Sequence, residues 1–452
     1  MDPERRFALE FVSRWTFTAK ERPTWCLQRA LIPIEIWTLI LLDFCCFPRT
    51  GGFNAGRDYL RSLWEGLDVF VTGVAAFWTK LDVNFRSLSS TLVLDVKASK
   101  KLALDVRIDV RSDFADGEVD PDLDEEADHP RLRECLDVVR SVSLKWRSLR
   151  CQVNRELYLE VIREFLESSS APALLSVDIQ SAVADLRSDA RVLRGVLPSL
   201  QRLRVCAFPI SWMHTATFGS LTSLELRAIS PLHYQSLAAF AALLERVSPT
   251  LQTLVIAGLG FCGTTPVLPP PFAMSVLEHV DLVFLYANPV QDNLIVSLLG
   301  IVELPALRSF RIENAGDDIA VHLATAVSHL KIVRTFCVSG GYVGTPSTKQ
   351  LVEALPSLTH LDIQTAPHKF VDALFTLPQA LPNLLVMQFE AFYAAPVLAY
   401  LLAREACGQT RLLEMRCVQY AGIPLLPSQV VAIGRLPLAA TLFSYSELSR
   451  HG

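Results

Sequence analysis

One nine-residue pattern recurs along most of the chain. Its clearest copy is LPSLQRLRV at residues 197–205, and close copies are LPALRSFRI from residue 304, LPSLTHLDI from residue 355 and LPNLLVMQF from residue 381. Looser copies bring the number to eleven, and one apolar residue of each copy serves as its anchor. The anchors are Trp146, Leu174, Leu200, Leu221, Leu251, Leu277, Leu307, Val333, Leu358, Leu384 and Leu412.

The spacing of these anchors indicates a repeat architecture. Successive anchors are 21 to 30 residues apart. A period in this range with an L-x-x-L-x-L core is typical of leucine-rich repeats. A single copy could arise in any amphipathic segment, but eleven near-periodic copies predict an α/β solenoid with parallel strands on its concave face and helices on its convex face. Because one unit cannot bury its own apolar side, several repeats form the minimum folding unit.

The segments between the copies show helical periodicity. Residues 156–167 and 234–247 place apolar residues on one side and charged residues on the other, so we expect a helix in each. The proline of the LP copies follows such a helix and helps to end it. Residues 92–110 alternate with period 2, which predicts strands of early, irregular repeats. Residues 112–130 carry many carboxylates and no Lys or Arg, which is typical of a solvated loop.

Composition excludes several classes of protein. The net charge of −5 and the pI near 6.0 give no basic surface, so we expect no nucleic-acid partner. The most apolar stretch, residues 31–47, is short and contains Glu35 and Asp43, which argues against a membrane span. The first residues lack the layout of a signal peptide. Ten cysteines without a C-x-x-C pair or zinc-like spacing favour a reducing compartment, the cytoplasm or the nucleus.

No catalytic motif emerges from the residues. Residues 258–263 match G-x-G-x-x-G after a predicted strand, but the following TTPVLPPPF prevents the helix that a dinucleotide phosphate needs, so a loop is the better interpretation. His322 and His329 lie seven residues apart on a predicted helix without a third ligand. We therefore predict no enzyme activity, no cofactor and no metal.

The amino-terminal part of the chain resembles a known domain. LIPIEIWTLIL at residues 31–41 is similar to the opening of an F-box, an L-P-x-E-I stretch that leads into an apolar helix. Residues 62–83 resemble its second half, where Phe77, Trp78 and Leu81 match the family. With the repeats that follow, the chain resembles F-box/leucine-rich-repeat proteins of the kind expanded in basidiomycete fungi.

This resemblance implies a function in ubiquitin transfer. Residues 31–83 would form a small all-helical F-box-like domain that binds a Skp-type adaptor and, through it, a cullin. The repeats would bind a protein substrate of the SCF-type ligase, and the chain itself would be non-catalytic. The implied adaptor-binding residues are Ile32, Pro33, Ile36, Ile40 and Leu41. The resulting domain boundaries are 1–30 without an assigned role, 31–83 for the F-box-like domain, 84–130 for early repeats with the acidic loop, and 131–452 for the solenoid.

An alternative keeps the repeats and drops the ubiquitin connection. Trp64, Leu67 and Ala75 stand where the F-box family usually has Cys, Trp and Pro. Residues 31–83 would then be a cap that covers the apolar edge of the first repeat, as terminal repeats require. The protein would be a scaffold or a binding module.

The strand pattern also predicts which residues face a partner. In each copy the leucine positions point into the core, so the residues between them point out of the concave sheet. The candidate substrate-binding residues are Arg202, Arg204, Glu225, His279, Asp281, Arg311, His360, Asp362 and Gln388.

Overall fold

The repeats form a ladder of parallel strands in a computed structural model of the chain. The structure describes residues 79–84, 87–99, 101–110, 125–153, 156–181, 196–207, 217–227, 237–258, 270–284, 296–326, 328–340, 345–364, 374, 376–390, 394–409, 412, 414–419 and 439–444. The chain divides into two units, residues 1–147 and 148–452. The implied adaptor-binding residues Ile32, Pro33, Ile36, Ile40 and Leu41 lie outside the described residues.

The first unit contains a parallel strand pair covered by two helices. Strand β1 (Lys80–Val83) pairs with β2 (Leu104–Val110), and helix α1 (Ser89–Ala98) connects them. Parallel neighbours need such a crossover because a tight turn reverses the chain. Helix α2 (Glu125–Arg140) packs against α1 and β1. It is followed by a 3-10 turn at Ser143–Lys145.

Three predictions for this unit were wrong. The alternating residues 91–96 belong to α1, where the buried residues Leu92, Asp95 and Ser99 follow helical spacing. Residues 80–83, expected at the end of an all-helical domain, form β1, because Leu81 and Val83 alternate with exposed neighbours as a strand requires. The end of the predicted acidic loop is helical from residue 125 onward, while residues 111–124 lie outside the described residues.

In the second unit, twelve strands form one open parallel sheet in which neighbours in sequence are neighbours in space. They are β3 (Trp146–Val153), β4 (Ser176–Ser181), β5 (Arg202–Cys206), β6 (Ser223–Arg227), β7 (Thr253–Ala257), β8 (His279–Val283), β9 (Ser309–Glu313), β10 (Thr335–Ser339), β11 (His360–Gln364), β12 (Val386–Glu390), β13 (Glu414–Gln419) and β14 (Ala439–Ser444). This mixed α/β architecture with a long parallel sheet confirms the predicted fold class at that level. Strand β14 follows the last copy of the repeat pattern.

Helices and short strands connect the sheet strands. The helices are α3 (Glu156–Ser168), α4 (Leu237–Val247), α5 (Asp317–Ala326), α6 (Thr345–Glu353) and α7 (Ala394–Ala406), with a 3-10 element at Ser328–Ile332. The two predicted helices are confirmed as α3 and α4, although α4 begins at residue 237. Short parallel pairs join Val196–Leu197 to Thr217–Phe218 and Phe272–Ala273 to Val302–Glu303.

The anchors of the repeats form the core. All eleven are buried, from 0% exposed at Trp146 to 6% at Leu412. The next inward positions of strands β3 to β12 are buried as well, and the stacked rings of Phe310 and Phe336 on β9 and β10 lie 6.4 Å apart between centroids. Apolar burial along one side of the sheet is therefore continuous from repeat to repeat, as the spacing predicted.

A tight turn brings the chain into most of the anchors. The N–H of Leu200 donates to the carbonyl of Leu197 at 3.2 Å, and Leu358 donates to Leu355 in the same way. The proline of each LP copy occupies the first central position of this turn, where its restricted φ is favourable. Its place is thus inside the turn that enters the strand. Pro356 follows helix α6 as predicted, whereas Pro198 and Pro305 come after the short strands Val196–Leu197 and Val302–Glu303.

Beyond each anchor, one carbonyl of the preceding repeat accepts two N–H groups. Arg308 and Ser309, for example, both donate to the carbonyl of Glu278, at 2.9 and 3.0 Å. The same contact recurs along the described sheet, and its acceptors are Leu175, Gln201, Thr222, Gln252, Glu278, Arg308, Arg334 and Thr359. These contacts hold neighbouring strands in one register.

Several strands end at a residue with left-handed backbone. Gly258, Asn314 and Gly340 have φ of 61°, 59° and 60°, and the N–H of each donates to the last carbonyl of the next strand. Gly258 is the first glycine of the G-x-G-x-x-G match, so it ends β7. The other glycines of that match lie outside the described residues.

Helix α7 is fastened by a buried arginine. Arg404 is 3% exposed and donates to the carbonyls of Ala380 and Leu381 at 2.7 and 3.0 Å. Its guanidinium also contacts the hydroxyl of Tyr400 at 3.2 Å. Leu381 has a φ of 55°, so the arginine satisfies the carbonyls of a strained turn that precedes β12.

Removing an anchor side chain tests the core. We expect Leu307→Ala to lower the free energy of unfolding by about 2 to 5 kcal/mol, since the anchor is 1% exposed and leaves a cavity. Leu402 on α7 is 58% exposed, so Leu402→Ala should change it by about 0.5 kcal/mol or less. Urea unfolding of both variants measures the difference, and equal effects would contradict a core built on anchors.

Three glycine substitutions separate backbone strain from steric clash. A Cβ at Gly340 would lie 2.2 Å from Oδ1 of Asn314, whereas nothing lies within 4 Å of a Cβ at Gly408 or Gly316. Gly340 and Gly408 have positive φ. We expect Gly408→Ala to cost about 1 to 2 kcal/mol from backbone strain. The cost at Gly340 should be larger, and Gly316→Ala should be neutral or stabilising. Thermal unfolding should rank the variants in that order.

Candidate partner-binding face of the parallel sheet

One side of the sheet in the second unit faces away from the hydrophobic core. The strands alternate between buried residues and partly or fully exposed ones, as in the pattern of β8 and β11. We call the non-buried side the open face. Each strand gives it three positions, which align across the sheet in a first, a central and a third row. In β8 these are His279, Asp281 and Val283.

All nine predicted substrate-binding residues lie on the open face. The first row contains Arg202, His279 and His360, and the central row contains Arg204, Glu225, Asp281, Arg311, Asp362 and Gln388. Neighbouring strands bring three pairs together, which are Arg204 with Glu225, Asp281 with Arg311, and Asp362 with Gln388. The first-row residues are not brought together, because two strands separate each from the next.

At the amino-terminal end of the open face, charges of opposite sign alternate between strands. Arg150 Nε lies 3.6 Å from Asp178, and Arg204 Nε lies 3.1 Å from Glu225 and 4.0 Å from Asp178. Glu225 also accepts a hydrogen bond from Arg227. Glu225 is therefore shared by two arginines. Partly exposed pairs of this kind contribute about 0 to 1 kcal/mol each, so they order the side chains more than they stabilise the fold.

Beyond β7, one arginine is shared by two carboxylates. Arg311 Nε lies 3.9 Å from Asp281 Oδ1, and its Nη2 donates to Glu313 at 3.2 Å. The 3.9 Å separation is an ion pair without a hydrogen bond, and no described protein group donates to that buried Asp281 oxygen. Burial raises the pKa of Asp281, and the positive charges of Arg311 and Arg227 oppose that rise.

Asp362 on β11 lies beside Cys337 on β10, also in the central row. Burial raises its pKa, while hydrogen bonds from Gln364 and Cys337 act in the opposite direction. The Cys337 Sγ lies 3.6 Å from the Asp362 carboxylate, and burial raises the pKa of the Cys337 thiol to about 12. This cysteine stays protonated at neutral pH and is a hydrogen-bond donor rather than a nucleophile.

Strand β7 interrupts the charges. Its open-face residues are Thr253, Val255 and Ala257, and Val283 on β8 lies beside Ala257. On β3 to β6 the open face carries four arginines and two carboxylates, which gives +2. On β8 to β11 it carries one arginine and three carboxylates, which gives −2. Apart from His279 and His360, every basic residue on this face of β3 to β12 is an arginine, since no lysine occupies one of these positions.

The predicted list omitted four charged residues of this face on strands β3 to β11. Arg150 and Asp178 lie in the two earliest copies of the repeat, and Arg227 and Glu313 lie two residues beyond the central row. The alternation of strand side chains would have found all four if it had been continued to these positions.

Other chemical groupings in the described part of the chain do not build a reaction centre. Ser297 Oγ and His322 Nε2 are 3.0 Å apart, but no described carboxylate bonds to that histidine as a catalytic triad requires. His322 lies on α5 and His329 in the separate 3-10 element, so the helix predicted to carry both was wrong. The described residues contain no cluster of three or more His, Cys, Asp or Glu suited to a metal ion.

Comparisons with known proteins identify no relative. No family model matches the chain, and no curated protein matches it. Among the helices that the structure describes, none has both the length and the apolar character needed to cross a membrane.

The raised pKa of Asp362 predicts a pH-dependent effect of its neutral analogue. When the pKa of an acid is raised in the folded state, its ionised form destabilises that state. The free energy of unfolding therefore falls as pH rises above the unfolded pKa, which is 3.8 for Asp362. We therefore expect Asp362→Asn to raise the free energy of unfolding at pH 7, with a gain that shrinks as pH falls toward 4. Leu402→Ala, which changes no titratable group, is the control and should alter the free energy of unfolding by the same small amount at each pH. Urea unfolding across this pH range measures both, and a gain independent of pH would contradict the assignment.

Proposed function

We propose that the chain is a leucine-rich-repeat solenoid that acts as a non-catalytic substrate-recognition subunit of an SCF-type ubiquitin ligase. Residues 31–83 bind a Skp-type adaptor and, through it, a cullin, while the open face holds a protein substrate in the cytoplasm or nucleus. The adaptor contact follows from the F-box resemblance of residues 31–41 and 62–83. The substrate contact follows from the open face.

The extended open face is the observation that carries this proposal. It runs along twelve strands, and on β3 to β12 the residues that alternate with it are buried. It presents arginines, carboxylates, histidines and small apolar residues together. A surface of mixed charge is typical of protein recognition, where complementary potentials select a partner. With the adaptor contact in residues 31–83, this face gives the chain two binding activities. Holding a substrate near a ligase raises its effective concentration without any chemistry by the receptor.

A second candidate function is a leucine-rich-repeat scaffold without a ubiquitin role. One observation favours it, since residues 80–83, at the end of the F-box-like segment, form β1 and bury Leu81 completely against the first unit. Residues that build the core of the first unit are suited to a cap, which end repeats require.

Co-purification with a Skp-type adaptor distinguishes the two functions. We expect the full-length chain to form a stoichiometric complex. A Pro33→Asp/Ile36→Asp double variant should lose at least about 90% of it, because charges would enter an apolar contact.

The matched control is Leu402→Asp, which adds a charge at an exposed position of α7 and should leave the complex intact. If the folded wild-type chain forms no adaptor complex, the ubiquitin role is wrong and the scaffold remains. If the double variant binds as well as the wild type, the adaptor site lies elsewhere.

A further inference from the structure

The third row of the open face has an ordered charge pattern. Crossing from β6 to β9, its neighbours in register are Arg227, Ala257, Val283 and Glu313. The row thus begins with a cation, continues with two small apolar residues and ends with an anion. Val255, beside Ala257 on the same face of β7, widens the apolar part.

Neither terminal charge is fully neutralised by its neighbours. Glu225 is the carboxylate that contacts Arg227, and it also contacts Arg204, so this end has an excess of guanidinium. Arg311 is the cation that contacts Glu313, and it also lies by Asp281, so the other end has an excess of carboxylate. Arg227 is 38% and Glu313 32% exposed in their side chains, which leaves both accessible to a partner.

The dimensions of the row match those of an extended peptide. Three strand spacings separate Arg227 from Glu313, which is about 14 Å at roughly 4.8 Å per spacing. An extended chain covers about 13 Å in four residues, and its side chains at positions i, i+2 and i+4 point the same way. An acidic residue, an apolar residue and a basic residue at these positions would therefore reach Arg227, the Ala257–Val283 step and Glu313 together.

We propose that the third row binds an extended segment of a partner protein in which an acidic, an apolar and a basic residue alternate with spacers. This inference rests on the proposed function, because it states the class of segment that the recognition subunit holds. The complementary charges set the orientation of the segment across the strands, and the apolar residue packs on Val255 and Val283, the partly exposed side chains beside the buried Ala257. A uniformly charged partner is disfavoured, since one end of the row would repel it.

Fluorescence anisotropy with designed peptides tests this inference on the full-length chain. The probe is a labelled peptide with glutamate, leucine and arginine at alternate positions and serine spacers. The control peptide has the same composition but places the glutamate and the arginine side by side, so it cannot reach both ends of the row. We expect the first peptide to bind at least about tenfold more tightly than the control, since hydrogen bonds to charged groups each contribute strongly.

Variants of the row give a second comparison. Arg227→Gln and Glu313→Gln should each weaken binding of the first peptide by about tenfold. Arg163→Gln removes an arginine from helix α3, outside the open face, and should leave binding unchanged. A double variant that carries both Arg227→Glu and Glu313→Arg should again bind the first peptide, because the peptide can then lie in the opposite direction. Unfolding midpoints in urea show whether each variant is folded.

The outcomes separate this inference from the proposed function. Equal binding of the two peptides, no measurable binding of the first, or wild-type affinity in both glutamine variants would overturn the inference. Self-association of the chain through the row, abolished by Glu313→Gln, would also overturn it in favour of a second copy as occupant. The row variants should still co-purify with the adaptor. Loss of adaptor binding by the wild-type chain, with peptide binding retained, would overturn the ubiquitin role alone.

Discussion

The second unit depends on one backbone contact between neighbouring repeats, in which a carbonyl of one repeat accepts two N–H groups of the next. It places the residue after the anchor at the same point in each repeat, as the contacts of Glu278 with Arg308 and Ser309 show. The anchor then faces the core at a constant depth. Because strand side chains alternate, the same register decides which residues reach the open face. Core and binding face are therefore two results of one backbone arrangement.

The register also explains the order of charges on the open face. Each repeat contributes one central-row residue, and residues on neighbouring strands lie within reach of each other. Like charges at this distance are unfavourable, and the sequence Arg150, Asp178, Arg204, Glu225 avoids them. Strand β7 ends the alternation with Val255. The two charged parts can therefore keep opposite net charges, with an apolar strip between them.

Much of the second unit was predictable from sequence because its signal is repeated. The anchor spacing predicted the parallel strands, the burial of positions such as Leu251, and the orientation of the open-face residues. Signals that occur once were harder to interpret. Residues 91–96 alternate like a strand but form α1, since the pairing of β1 with β2 requires a crossover. The left-handed backbone of Asn314 and the buried position of Arg404 depend on distant carbonyls, so no local pattern indicates them.

The candidate face was predicted less completely than the fold. The nine predicted residues all lie on it, but their partners Arg227 and Glu313 were missed because the strand pattern was followed only as far as its central row. The pKa shifts of Asp281 and Asp362 depend on how deeply each carboxylate is desolvated. Burial of this kind is a property of the packed sheet and cannot be read from residue type.

Under the proposed role, the use of arginine rather than lysine on strands β3 to β12 of the open face has a chemical consequence. A guanidinium stays protonated at physiological pH and offers no nucleophilic amine, whereas a lysine amine can attack a thioester. These strands therefore offer no lysine amine that could accept ubiquitin or an acetyl group. Under the proposed role, the amines of the bound partner are then the ones presented for modification, and the charge pattern that recognises the partner is preserved through successive turnovers.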